Sequence, residues 1–171
     1  MPFNNKDHSI ELTTDPDDFA ICAKLMAGTD PWITLKMDEE ACLKAFEGSF
    51  REVFVLKNEK EIMGFVIMQP LGTFKGYIQT IAINESYRGA GYGTQLLQFC
   101  EDRILTYSPN IFICVSSFNH GAIQLYTKFG FELVGELKDF IKKGFTELLL
   151  RKTVGPVVGY NGVSAQNIKN V

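Results

Sequence analysis

The sequence predicts a mixed α/β fold, and three observations carry that prediction. Apolar residues recur with helical spacing in some segments and fall in short strand-like runs in others, in the order β-α-α-β-β-β-α-β-α-β-β. A cluster of glycines joins one of those strands directly to one of those helices. The length, 171 residues, suits one domain of ordinary size, with little left over.

In chain order, Ser9-Ile10-Glu11-Leu12-Thr13 alternates as a short strand does. Thr14-Asp15-Pro16 supplies a cap and a proline near the first helical position. Phe19, Cys22, Ala23 and Met26 then recur on one helix face, which Gly28 ends. After Asp30-Pro31-Trp32 a second helix is expected from Asp38 to Gly48, burying Cys42, Leu43 and Phe46. Val53 to Leu56 and Ile62 to Met68 flank a polar turn and read as a β-hairpin. Tyr77 to Ile83 is the next strand. It runs into Arg88-Gly89-Ala90-Gly91-Tyr92-Gly93 and a helix whose inner face carries Leu96, Leu97, Cys100 and Ile104. Ile111 to Val115 is almost unbroken apolar sequence, as in a strand buried on both faces. Asn119 caps a helix that buries Ala122, Leu125, Tyr126 and Phe129 and stops at Gly130. Glu132 to Leu137 and Phe145 to Leu150 are the last strands.

Composition narrows the function. Seventeen basic and twenty acidic residues leave a net charge of −3, which argues against a broad nucleic-acid-binding surface. With 46% hydrophobic and 22% charged residues, the chain has apolar material enough to fold rather than stay disordered. Fourteen Phe point to a well-filled core or an apolar cleft. No stretch approaches the roughly 18–20 apolar residues of a membrane span, so no membrane partner is expected. MPFNNKDHSIEL has neither an apolar core nor a small-residue cleavage site, so no secretory signal is expected. Cys22, Cys42, Cys100 and Cys114 form no CxxC pair and sit among apolar neighbours. The expectations are a reducing cytoplasm and no metal site.

The glycine stretch carries the chemistry. Glycines let a backbone approach a ligand closely, and the free N–H groups of a first helical turn attract anions. A tight strand-to-helix turn would want glycine as well. Gly93 is followed by Thr94 and Gln95 rather than Lys-Ser/Thr, which disfavours a P-loop. The G-x-G-x-G rhythm of Gly89, Gly91 and Gly93 also departs from the dinucleotide fingerprint G-x-G-x-x-G.

Arg88-Gly89-Ala90-Gly91-Tyr92-Gly93 resembles the R-x-x-G-x-G acetyl-CoA signature of the GNAT superfamily of N-acetyltransferases, and NHGAIQLYTKFGFELVG resembles that family's second signature. The resemblance covers about residues 52–152. It implies one GNAT-like domain over residues 1–152 with a 153–171 tail: a mixed, mostly antiparallel sheet flanked by helices, with a splayed pair of central strands. The tail is expected to dock on the body or on a second copy in a homodimer. Acetyl-CoA is the implied co-substrate and an amine the implied acceptor. The N–H groups of Gly89, Ala90, Gly91, Tyr92 and Gly93 would hold the pyrophosphate, with Arg88 and the Thr94 hydroxyl beside them. Ile81, Ala82 and Ile83 would pair with the pantetheine arm, Asn119 would bond to it, and Tyr126 would lie near the sulfur.

Acetyl transfer needs a neutral amine, a donor for the oxyanion and a proton for the thiolate. By the resemblance Tyr126 is the general acid; otherwise it is a core aromatic beside Leu125 and Phe129. The base is missing, because the strands around Ile81 and Ile113 hold no carboxylate. Cys114 reads as an inert core thiol, and His120 and Glu85 as solvated surface groups. Asp30 and Trp32 line the acceptor site or, in Trp32's case, anchor the core. Phe46, Phe50 and Phe74 are further candidates for the acceptor side. The alternatives to an N-acetyltransferase are a non-catalytic acyl-CoA-binding module and a protein-interaction scaffold.

Overall fold

Local chemistry sets where the elements begin in the computed structural model, which describes residues 7–163. The chain runs through β1 (Ser9–Thr13), α1 (Pro16–Ala27), α2 (Glu39–Leu43), a 3-10 turn (Lys44–Phe46), β2 (Glu52–Lys57), β3 (Ile62–Gln69) and β4 (Tyr77–Ile83). A second 3-10 turn (Glu85–Tyr87) then leads to α3 (Tyr92–Ile104), β5 (Asn110–Ser116), α4 (His120–Phe129), β6 (Glu132–Lys138) and β7 (Thr146–Thr153). Asp15 caps α1 by accepting from the N–H of Asp17, ahead of a proline whose missing N–H costs nothing there. Asp38 caps α2 in the same way, through the N–H of Ala41 at 2.8 Å. Gly130 closes α4 in the left-handed conformation.

The seven strands form one sheet in the order β1-β2-β3-β4-β5-β7-β6. The pairs β1–β2, β2–β3, β5–β7 and β6–β7 are antiparallel, whereas β4–β5 is parallel. Four helices accompany this sheet, so the expected mixed α/β architecture is the one observed.

The chain divides into two compact units, Met1–Met68 with Thr80–Leu96 and Gln69–Gln79 with Leu97–Val171. In the first, the inner face of α1 (Cys22, Ala23, Met26) packs with Cys42, Phe46, Val53, Val55, Phe65 and Ile67. Phe46 stacks on Phe19 at 5.1 Å between ring centroids and meets Phe65 at 5.5 Å. In the second, Cys100, Ile104, Ile111, Ile113, Tyr126, Phe131 and Leu150 are buried. There Lys152 pairs with Glu101 at 2.8 Å and lies over the ring of Phe129.

One expected helix is shorter than its pattern suggests. The span expected from Asp38 to Gly48 is helical only to Leu43, then tightens into the 3-10 turn, and Leu43 is exposed rather than buried. The backbone itself turns out of the helix: Glu47 is extended (ψ 147°), its N–H bonds only three residues back to Lys44 O, and Gly48 takes φ +107°. The Arg51 guanidinium then takes up the carbonyls of Ala45, at 2.8 Å, and Glu47, which a helix end leaves without partners.

Residues 154–163 bond back to their own unit. Val154 N–H donates to Pro109 O, and Val163 N–H and the Tyr160 hydroxyl both donate to Leu105 O. The ends of the expected 1–152 and 153–171 segments, residues 1–6 and 164–171, lie outside the described residues.

Candidate active site

In the first unit the chain leaves β4 at Ile83 and enters a braced loop. Asn84 caps the following 3-10 turn by accepting from Ser86 N–H at 3.1 Å. The Tyr87 hydroxyl donates to Glu61 at 2.6 Å and accepts from Asn58 at 3.2 Å, tying this turn to the β2–β3 hairpin. Gly89 (φ +79°) and Gly91 (φ +88°) take backbone conformations that side chains disfavour. The N–H of Gln95 then bonds to Gly91 O at 3.0 Å, so the first turn of α3 offers its earlier N–H groups outward. A Cβ built on Gly89 or Gly91 would meet nothing within 4 Å. The space over the loop is therefore open, and N–H groups with the positive end of a helix dipole suit it to a pyrophosphate. His8 bonds to Gln95 and packs edge-on against Tyr92.

The Arg88 side chain takes a direction the spacing did not suggest. Its Nε donates to Ile83 O at 3.1 Å, and Nη2 reaches Thr29 Oγ1 at 3.4 Å. The structure thus brings the start of the loop beside the residue preceding Asp30. Asp30 itself is closed on its own turn, accepting from the N–H and hydroxyl of Thr34. Trp32 packs against the core of the first unit, as an anchor would. Phe46 is buried in that core, while Phe50 and Phe74 are exposed. Along β4, Ala82 is buried and Ile81 and Ile83 are half-buried.

The remaining expected site residues belong to the second unit. The β4–β5 ladder consists of two pairs, Tyr77–Phe112 and Ile78–Ile113, and ends there, as expected of splayed strands. Asn119 caps α4 through Oδ1, which accepts from Ala122 N–H at 3.3 Å. Tyr126 is 6% exposed, edge-on to Phe131. Burial first, then the neighbouring Cys100, pushes its phenol above the usual tyrosine value. Burial likewise raises the Cys114 thiol, partly offset by a hydrogen bond with Tyr77, so it is held as a thiol rather than a nucleophilic thiolate. His120 and Glu85 are exposed.

One carboxylate escaped the sequence reading. Glu147 is 5% exposed and accepts from the Ser116 hydroxyl at 2.6 Å. An acid inside the run Phe145-Thr146-Glu147-Leu148-Leu149-Leu150 was the available signal. Its partner became visible only through the β5–β7 register, which sets Ser116 opposite Glu147. Burial raises its carboxyl above 4.5, and the Ser116 bond offsets part of that rise. A carboxyl raised in the fold stabilises the protein below its unfolded value, and that contribution is lost as pH rises through the folded value. Glu147→Gln is therefore expected to gain stability relative to wild type between about pH 4 and pH 7. Urea unfolding at the two pH values measures this; an unchanged difference would remove the burial cost from the account.

Residues 14–131 match the family described as Acetyltransferase (GNAT) family. An N-alpha-acetyltransferase from Sulfurisphaera tokodaii is 30% identical over 115 residues, 60% of this chain and 67% of that protein. A Mycobacterium leprae protein is 30% identical over 130 residues; the match takes in 72% of this chain but 34% of that relative's length. The chain thus spans between about a third and two thirds of the length of these relatives. Among solved structures, an aminoglycoside 6'-N-acetyltransferase complexed with coenzyme A shares the fold, with a TM-score of 0.69 at 16% identity over 86% of this chain and 97% of that one.

Proposed function

The chain belongs to the acetyltransferase (GNAT) family, and on that premise we propose that it moves the acetyl group of acetyl-CoA to a primary amine of a small molecule or a protein. The observation that carries this reading is the loop with Gly89 and Gly91 at positive φ, opening directly into α3 with unfilled space above it. The N–H groups from Gly89 to Gly93 would hold the pyrophosphate, with the Thr94 hydroxyl adding a donor. Arg88, turned toward Ile83 O and Thr29, would steady the end of β4 and contribute positive potential. Ile81 to Ile83 would pair with the pantetheine arm, and Asn119 would offer it the amide NH2, since its Oδ1 already caps α4.

Acetyl-CoA supplies an activated thioester, so attack by the amine within a ternary complex needs no covalent enzyme intermediate. Tyr126 would give its proton to the departing thiolate; its buried phenol keeps that proton across the neutral range. Asp30 and the Trp32 ring would border the acceptor amine, by charge and by cation–π attraction. The free thiols of all four cysteines fit a reducing cytoplasm.

Acetyl-CoA at about 100 times its Kd is expected to stabilise the fold by about 2.7 kcal/mol, which for a chain of this size raises Tm by roughly 5–10 °C. No rise would remove acetyl-CoA from the account. Release of CoA thiol across a panel of peptides with free amino termini, polyamines and aminoglycosides then separates a transferase from an acyl-CoA-binding module. The module would show the Tm rise without amine-dependent thiol release.

A further inference from the structure

An acceptor α-amine has a pKa near 7.7–8.0 and a lysine-like amine one near 10.4, so at neutral pH most of either is an ammonium ion without a lone pair to attack with. Neither β4 nor β5 holds a carboxylate to take that proton. The neighbouring strand β7 does. We propose that Glu147 is the general base of the acetyl transfer, its Oε2 accepting a proton from the acceptor ammonium while the Ser116 hydroxyl fixes Oε1. This assignment rests on the acetyl-transfer reading above.

Ser116 stands opposite Glu147, Cys114 opposite Leu149, and Phe112 is paired with Tyr77 on the other side of β5. With side chains alternating along each strand, Tyr77, Cys114, Ser116 and Glu147 point to the same side of the sheet. They gather beside the end of the two-pair β4–β5 ladder, and Tyr77 and Cys114 are half-buried, so this face is not sealed. A carboxylate set there attracts an ammonium ion, and the 2.6 Å bond from Ser116 holds it in one orientation.

The groups that face Glu147 leave it as the acting base. From β4 and β5 these are Tyr77 and Cys114, both neutral at pH 7 because burial pushes each of them up. From β6 it meets Leu137, while the flanking Glu136 and Lys138 alternate to the other face. His120, at the start of α4, is exposed. A base whose own pKa is lifted toward neutrality also accepts a proton more readily than an ordinary carboxylate.

One N–H proton of the ammonium passes to Oε2, leaving a neutral amine and a Glu147 carboxylic acid. The amine lone pair forms the C–N bond at the thioester carbonyl, and the C–S bond then breaks with its electron pair on sulfur. The thiolate takes a proton from Tyr126, which is replaced by the second N–H proton released as the amide forms. Glu147 returns its proton to solvent, one per turnover.

The test compares wild type, Glu147→Gln and Ser116→Ala. It measures kcat between about pH 5 and pH 9 with whichever amine of the panel wild type acetylates fastest, and the acetyl-CoA-induced rise in Tm of each protein. Glu147→Gln, which can still accept from Ser116, is expected to keep the Tm rise, to lose about 10²-fold or more in kcat at pH 7 and to have its acidic limb move up to the acceptor amine's own titration range. Ser116→Ala is expected to lower kcat at pH 7, though less than Glu147→Gln does, and to move the limb to higher pH, because the bond that oriented Glu147 and favoured its ionised form is gone. An acidic limb that stays at its wild-type pH in Glu147→Gln overturns the assignment, as does one that stays in place in Ser116→Ala. Loss of the Tm rise in Glu147→Gln overturns it too, by showing a role in holding acetyl-CoA. If wild type binds acetyl-CoA but acetylates no amine, the base assignment falls and acyl-CoA binding stands. If wild type shows no Tm rise, the transfer reading itself falls and takes this assignment with it.

Discussion

Gly91→Val abolishes the acetyl-CoA-dependent rise in Tm. Two effects combine at this position. At φ +88° a β-branched side chain is strained, at a cost of about 1–2 kcal/mol or more, so the basal Tm drops as well. The new side chain also fills the space above the loop, where a Cβ now meets nothing within 4 Å. An anion held by N–H groups must come within hydrogen-bond distance of the backbone, and valine's methyl groups prevent that approach. Gly91→Asn separates the two effects, because asparagine tolerates positive φ and lowers the basal Tm less. It still projects into the same space, so it too weakens acetyl-CoA binding. A Gly91→Val protein that keeps the full Tm rise would move the phosphate site away from this loop.

Tyr126→Phe lowers kcat by about 10²-fold or more while acetyl-CoA affinity stays within a few fold. The ring is what the fold uses: it is 6% exposed and packs edge-on to Phe131, and phenylalanine keeps that contact. The hydroxyl is what the proposed chemistry would use, since an expelled thiolate needs a proton delivered to it. Burial lifts the phenol above its ordinary value, so the proton stays on oxygen until charge develops on sulfur. Measuring kcat beside the acetyl-CoA Kd distinguishes this from a packing role, which would move stability and leave kcat alone. Unchanged turnover would return Tyr126 to the core.

Most of the fold is legible along the chain because its signals are local. Asp15 before Pro16, Asn119 before His120 and Gly130 after Phe129 mark helix ends through contacts a few residues apart. Strand β4 begins and ends where its alternation does, at Tyr77 and Ile83. The α2 region differs from its apolar spacing, which suggests a continuous helix to Gly48: the backbone turns out at Glu47 and Gly48, and Arg51, from beyond the helix, takes up the carbonyls left at its end. Trp32 reads from its neighbours either as site lining or as an anchor, because its packing against the core of the first unit involves residues far along the chain.

The sequence by itself determined that this is a mixed α/β protein with a strand, a glycine loop and a helix in direct succession, the succession on which the proposed anion site rests. That much follows from contiguous residues, because glycine conformations and the free N–H groups of a helix start belong to one short stretch of backbone. Only the tertiary structure decided that β7 lies between β5 and β6, and with it that Glu147 meets Ser116 across 31 residues of chain. It likewise turned the Arg88 side chain onto Thr29, 59 residues away, rather than leaving it at the mouth of the loop. The physical reason is common to both. Strand order and the reach of a long side chain depend on which distant segments come together, and no periodicity along the sequence encodes that partner.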